Sequence, residues 1–261
     1  MICDKSHIGV SYFDFLTKLR NNRCVVVITI SKVFMNETRE TLYRLVSEKA
    51  VLKQDVFHNT MRVFAELKSV LSETVRDVAA NYGKSDERVE FHYRDRGDFQ
   101  AEIKIAGDVL VFYMHTNVFQ LDGSNAIWKS GYVKDNPENA YVGIINVYNF
   151  LADSFKYQRV SDVGYLIARI FVNKENHFMV QGKRQLGFLY NDFINSVLDK
   201  DALQKVVDSA ILYTLDFDLL APPYENLQQV TVDEIQSVTT STNLATGKRM
   251  GFKFGLEDGH F

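Results

Sequence analysis

A chain of 261 residues that is 46% hydrophobic has enough apolar material for a packed core, and too much for a disordered chain. Its net charge of −3, with no dense Lys/Arg cluster, argues against a protein that grips a nucleic-acid backbone. The two cysteines, Cys3 and Cys24, form neither a disulfide framework nor a zinc spacing, so a reducing, cytoplasmic setting is expected.

The first 34 residues differ from the rest. They hold both cysteines, five Lys/Arg and two Asp/Glu, leaving 25 basic and 31 acidic residues beyond them. Their longest purely apolar run, Val25-Val26-Val27-Ile28, is far too short to span a bilayer, and no signal-peptide cleavage site follows it. Met35 is followed at once by Asn36-Glu37-Thr38, which reads as a helix start: Asn36 can cap, and Glu37 and Glu40 sit at the positive end of the dipole. Two readings stand. In one, Met35 is the natural start and residues 1–34 are an upstream extension. In the other, Cys24 to Ile30 is an extra strand. Mass spectrometry of the native N-terminus separates them, because a native peptide from residues 1–34 rules out the first.

The stretch 36–82 contains no proline or glycine before Gly83. Phe57, Met61, Phe64, Leu67, Leu71, Val75 and Val78 recur at steps of three or four and predict one apolar helical stripe. Arg44 with Glu48 and Arg62 with Glu66 have the i,i+4 spacing of an exposed face. The stripe drifts near Lys53 to His58, which allows a break there or a helical hairpin. Lys49, Asn59 and Glu66 interrupt a strict heptad seam. That favours a helix packed on its own sheet over one that recruits a protein partner or a second copy, the competing reading.

From Arg88 the period becomes two. Val89, Phe91 and Tyr93 alternate with charged residues. A second strand follows Arg96-Gly97-Asp98, and Gly107-Asp108 turns the chain into Val109–Thr116, completing a three-stranded meander. A two-residue loop at Gly107-Asp108 and a three-residue loop at Arg96–Asp98 would align His92–Glu102–Tyr113 and Arg94–Gln100–His115 in rows on one face. Phe91, Ala101, Ile103, Leu110, Phe112 and Met114 would line the other face as core. Residues 117–140, rich in turn formers, read as a long connection or weak hairpin. An apolar strand follows at Tyr141–Val147. Tyr165–Val172 and His177–Gln181 form a hairpin whose first arm, apolar on both faces apart from Arg169, should lie centrally.

The last third has helical spacing over Leu186–Val197 and Ala202–Tyr213, with Asp201 as the expected cap of the second helix. Ala221-Pro222-Pro223 ends the compact region. The fold class is therefore α+β: a long N-terminal helix on a mostly antiparallel sheet, with C-terminal helices. A single domain is expected over 35–223, then a short extension and a loose tail to 261.

The chemistry-bearing residues gather in the meander. Glu102-Ile103-Lys104 is a Glu-x-Lys on a strand, with Asp86, Asp95 and Asp98 upstream as acidic partners. It resembles the core of the PD-(D/E)xK nuclease family. That resemblance implies a metal-dependent hydrolase in which carboxylates hold a metal and a lysine assists the attacking water. It covers three or four residues; the family's upstream proline is missing, and a strand follows where a helix-rich pattern is expected. The second reading is a binding face formed by His92, Arg94, Glu102, Tyr113 and His115. Two histidines on neighbouring strands fall short of a metal site, and neither a metal nor a cofactor is expected. Phosphate-loop, dinucleotide and nucleophile-elbow motifs are absent. The favoured expectation is a non-enzymatic binding or interaction module, with the nuclease-like hydrolase as the alternative.

Overall fold

The computed structural model describes residues 37–82, 86, 88–219, 221 and 223–233. The expectations for residues 1–34, for the Asn36 cap and for the tail over 239–261 lie outside them. The chain divides at Leu52–Lys53 into two units. In the first, residues 37 to 52 are helical, with π-helical hydrogen bonding over Leu45–Ala50, and Leu42, Tyr43, Leu45 and Val46 are exposed. The α-helix α1, Val51–Tyr82, continues without interruption. The expected break at Lys53–His58 does not occur; the irregular hydrogen bonding lies earlier, in the π-helical turns.

In the second unit α1 supplies one wall of the main core. Val63, Phe64, Leu67, Val70, Leu71 and Val75 are buried, with Phe57 and Met61 packed at the margin. They meet the apolar face of a seven-stranded antiparallel sheet. Its strands are β1 (Phe91–Asp95), β2 (Gln100–Ile105), β3 (Asp108–Met114), β4 (Phe119–Gln120), β5 (Tyr141–Leu151), β6 (Tyr165–Val172) and β7 (Phe178–Gly182). The spatial order is β1-β2-β3-β5-β6-β7, with β4 also paired to β5. Ala101, Ile103, Ile105, Leu110, Phe112, Met114, Ile145 and Val147 face α1. The helix comes so close to β5 at Gly143 that a methyl group there would overlap the side chain of Thr60. The gap is closed partly by Thr60 returning its hydroxyl to the Val56 carbonyl, 2.7 Å away.

The C-terminal helix α5 (Lys200–Leu215) packs into the same core through Leu203, Val206, Val207, Ala210 and Ile211, as its spacing predicts. Its cap is Asp199, not the expected Asp201: the Asp199 carboxylate accepts the Ala202 N–H at 2.8 Å. Of the helix predicted over Leu186–Val197, only Gln185–Leu189 forms (α4). The next residues run beside β7 instead. The Phe178 N–H donates to the Ser196 carbonyl and the Val180 N–H to the Tyr190 carbonyl. The demand of a sheet edge for hydrogen-bond partners thus overrides helical spacing here.

The opposite sheet face is half covered. The connection over 117–140 folds through β4, a 3-10 turn at Ala126–Lys129, α2 (Gly131–Asp135) and a second 3-10 turn at Pro137–Ala140. Its Leu121, Ile127, Val133 and Ala140 bury Val142, Ile144 and Phe171. This cover reaches only one end of the sheet, and the meander's mixed face lies beyond it. Among the described residues no helix is long and apolar enough to cross a membrane.

The register of the meander needs correction. The tight turn is Ala106-Gly107, with Ile105 opposite Asp108. Ala106, at φ 51°, takes the left-handed position that glycine was expected to fill. The other loop is Gly97–Phe99: Gly97 has φ 98°, and the Arg96 N–H donates to the Gln100 carbonyl. Each pairing therefore differs by two residues from the expectation. A shift of two leaves every side chain on its predicted face but changes its neighbours.

Candidate functional site

The observed register builds three rows on the mixed face. Arg94, Glu102, Val111, Tyr148 and Leu166 lie opposite one another in turn. Gln100, Tyr113, Asn146, Arg169 and Gln181 form the second row. His92, Lys104, Val109 and Phe150 form the third. The expected rows His92–Glu102–Tyr113 and Arg94–Gln100–His115 do not form. Of the five candidate binding residues, the structure brings together His92, Arg94 and Glu102.

These three line a recess of about 260 Å³ with Arg96, Lys104, Val109, Ala152, Phe155 and Lys156. One wall is the even-numbered side of β1 and β2. The other is the short helix α3 (Ala152–Lys156), which directly follows the end of β5 and is held over Val109. Glu102 is 7% exposed. Its carboxylate accepts from Arg96 Nε at 3.0 Å and from Gln100 Nε2 at 2.9 Å, so the buried charge is paired and hydrogen-bonded.

Lys104 donates to Glu90 at the rim, and His92 Nε2 lies 3.6 Å from the same carboxylate. The hydrogen bond from Lys104 holds the Glu90 carboxyl below its usual range, and the nearby charges of Lys104, His92 and Lys156 add to the effect. Lys156 lies 5.2 Å over the Tyr157 ring. Arg94 has no ion-pair partner among the described residues. The recess therefore carries the cations Arg94, Arg96, Lys104 and Lys156 against Glu102 within it and Glu90 at its rim.

The remaining candidates lie elsewhere. Tyr113, half-buried, sits between Gln100 and Asn146, and its ring meets His115 edge-on at 6.4 Å. His115 packs against Phe119 at 4.8 Å and accepts the Asn117 N–H at 3.0 Å. Asp98 is an exposed loop residue. Asp95 points to the helix side, where Lys68 donates to it at 2.8 Å, and Asp86 is taken up by Arg88. Glu102 and Lys104 thus share a recess, but none of the three upstream acids stands beside them. Among the described residues no group of three His, Cys, Asp or Glu is placed to hold a metal ion.

A second polar cluster explains His177. That ring stacks on Tyr132 at 4.8 Å and reaches the Phe193 carbonyl at 3.1 Å. The Tyr132 hydroxyl donates to Glu175 and accepts from Asn173, each at 2.7 Å; burial, then Glu175, pushes it well above the ordinary tyrosine range. This network ties the covering connection to the β6–β7 turn and has a structural role.

Sequence reasoning missed Arg96, Lys156, Tyr148 and Arg169 as residues of the mixed face. For the last two, the period-two pattern of β5 and β6 carried the signal. Arg96 and Lys156 reach the recess from a loop and a helical turn, where no period operates. Comparison with protein-family models, with curated proteins and with solved structures finds no match to this chain.

Proposed function

We propose that the chain is a non-enzymatic binding module whose ligand is anionic and is held in the recess between the meander and α3. The observation that supports this reading is the charge arrangement. Four cations line a concave site that holds one carboxylate, Glu102, already satisfied by Arg96 and Gln100; Lys104 is paired with Glu90 at the rim, and Arg94 has no ion-pair partner among the described residues. A guanidinium without an ion-pair partner offers a planar pair of donors to a phosphate or carboxylate. Val109, Ala152 and Phe155 supply the apolar wall that lowers the local dielectric. A metal-dependent hydrolase centred on Glu102 and Lys104 needs a ligand cluster, and among the described residues no group of three His, Cys, Asp or Glu is placed to hold a metal ion. The charge arrangement accordingly favours binding.

The test is a titration of the isotopically labelled protein with inorganic phosphate, followed by amide shifts. Shifts should concentrate at His92–Arg96, Glu102–Lys104 and Ala152–Lys156. Arg94→Ala should weaken binding by roughly tenfold, the size of one charge-assisted contact of about 1.5 kcal/mol. Absent or scattered shifts, or an unaltered Arg94→Ala titration, refute the reading.

A further inference from the structure

The open part of the sheet face does not end at this recess. On the far side of Tyr148 lies a second recess of about 260 Å³, lined by Leu166, Arg169, Gln181 and Lys183. Arg169 lies 5.3 Å over the Phe171 ring and donates to Gln181 at 2.7 Å. Arg169 on β6 lies three strand spacings across the sheet from Lys104 on β2 and, being in register with Gln100, four residues along it, so the two are roughly 20 Å apart. Between them stand two half-buried tyrosines, Tyr113 opposite Asn146 and Tyr148 opposite Val111. One sheet face thus carries two cationic recesses, with aromatic rings and side-chain amides between them. The covering connection that buries the other end of this face packs on Val142, Ile144 and Phe171, so its border runs along the Phe171 ring beneath Arg169.

Resting on the anion reading above, we propose that this face binds single-stranded nucleic acid, with phosphates at the two cationic recesses and bases against Tyr148 and Tyr113. A compact anion fills one recess only. An occupant that uses both must be extended, carry separated negative charges and offer flat groups to the rings between them. A single strand has all three properties, and its unpaired bases stack on aromatic side chains at about 1–3 kcal/mol each. The amide of Asn146, beside Tyr113, is suited to a base edge. A duplex keeps its bases stacked on one another and leaves the tyrosines unused. The net charge of −3 belongs to the whole chain, whereas the local field at this face is positive, so binding should be short in footprint. With two to four phosphates engaged, the slope of log affinity against log salt should lie near −1.5 to −3, about 0.7 per phosphate.

The experiment measures fluorescence anisotropy of a labelled oligouridylate of about ten nucleotides on the full chain, beside the phosphate titration. Binding is expected. Tyr148→Ala should weaken it by about tenfold, within the range of one base stack, and leave phosphate affinity unchanged. Tyr148→Phe, which keeps the ring, should restore it. Arg169→Ala should weaken the oligonucleotide but not phosphate at the first recess. If phosphate binds and the oligonucleotide does not, the inference fails and the single-recess reading stands. If inorganic polyphosphate or polyglutamate of similar length binds as tightly, or Tyr148→Phe loses as much as Tyr148→Ala, the nucleic-acid assignment is overturned. If wild type binds neither phosphate nor oligonucleotide, the recess reading itself falls.

Discussion

Glu90 sits at the rim of the recess and takes the ammonium of Lys104, which would otherwise face an incoming anion. Its carboxyl is held below the usual carboxylate range by that contact. The folded value lies under the unfolded one. The ion pair therefore contributes stability above the unfolded value, near pH 4, and loses it as pH falls through the lower folded value. Glu90 is exposed, so its effect on folding is small. Its effect on the recess is larger, because a protonated Glu90 releases Lys104. Sulfate keeps its charge through this range and is the suitable probe. Its affinity should rise as pH falls below 4, and Glu90→Gln should show the raised affinity already at pH 7. A Glu90→Gln protein that binds sulfate no better than wild type at pH 7, by amide-shift titration, would show that Lys104 is not limited by its partner.

At the scale of elements, patterns of period 3.6 and 2 were legible and local turn chemistry was not. The α1 and α5 stripes and the two faces of the meander follow from spacing alone, because burial enforces spacing over many residues at once. The pairing of Glu102 with Val111 was hidden because Ala106 adopts a positive φ that the adjacent glycine was expected to adopt, and its pairing with Arg94 because the other loop is Gly97–Phe99. The recess was half legible for the same reason: its sheet wall follows from alternation, whereas Arg96 and Lys156 arrive from segments without a period. The α5 cap is a further instance, since Asp199 and Asp201 are equally plausible by composition and only geometry separates them. Asp199→Ala should cost about 1 kcal/mol, the usual loss of an N-cap. Asp201→Ala, which removes only a charge from the first turn, should cost a few tenths. Urea midpoints of the two variants, read at constant slope, decide this, and equal shifts would contradict the capping hydrogen bond at Ala202.

At the scale of the second unit, the sheet has one face fully packed, one face half covered, and two unlike edges. β7 is guarded by the segment after α4, whereas β1 has β2 on one side and, among the described residues, no strand on the other. The Glu90 carbonyl accepts from Ala106 and the Arg96 N–H donates to Gln100, so the alternating ladder pairs His92 and Arg94 with β2. The amides of Phe91 and Tyr93 then point away from the sheet. Hydrogen exchange should show this residue by residue. β5, hydrogen-bonded on both sides and packed against α1, should hold the slowest amides of the sheet. Along β1, His92 and Arg94 should be protected while Phe91 and Tyr93 exchange fast, although the side chains of both pack against the core. Equal rates at all four would contradict the pairing of β1 that forms the wall of the recess. Protection of Phe91 and Tyr93 that rises with protein concentration would mean instead that a second copy adds its strand at this edge, next to the proposed binding face.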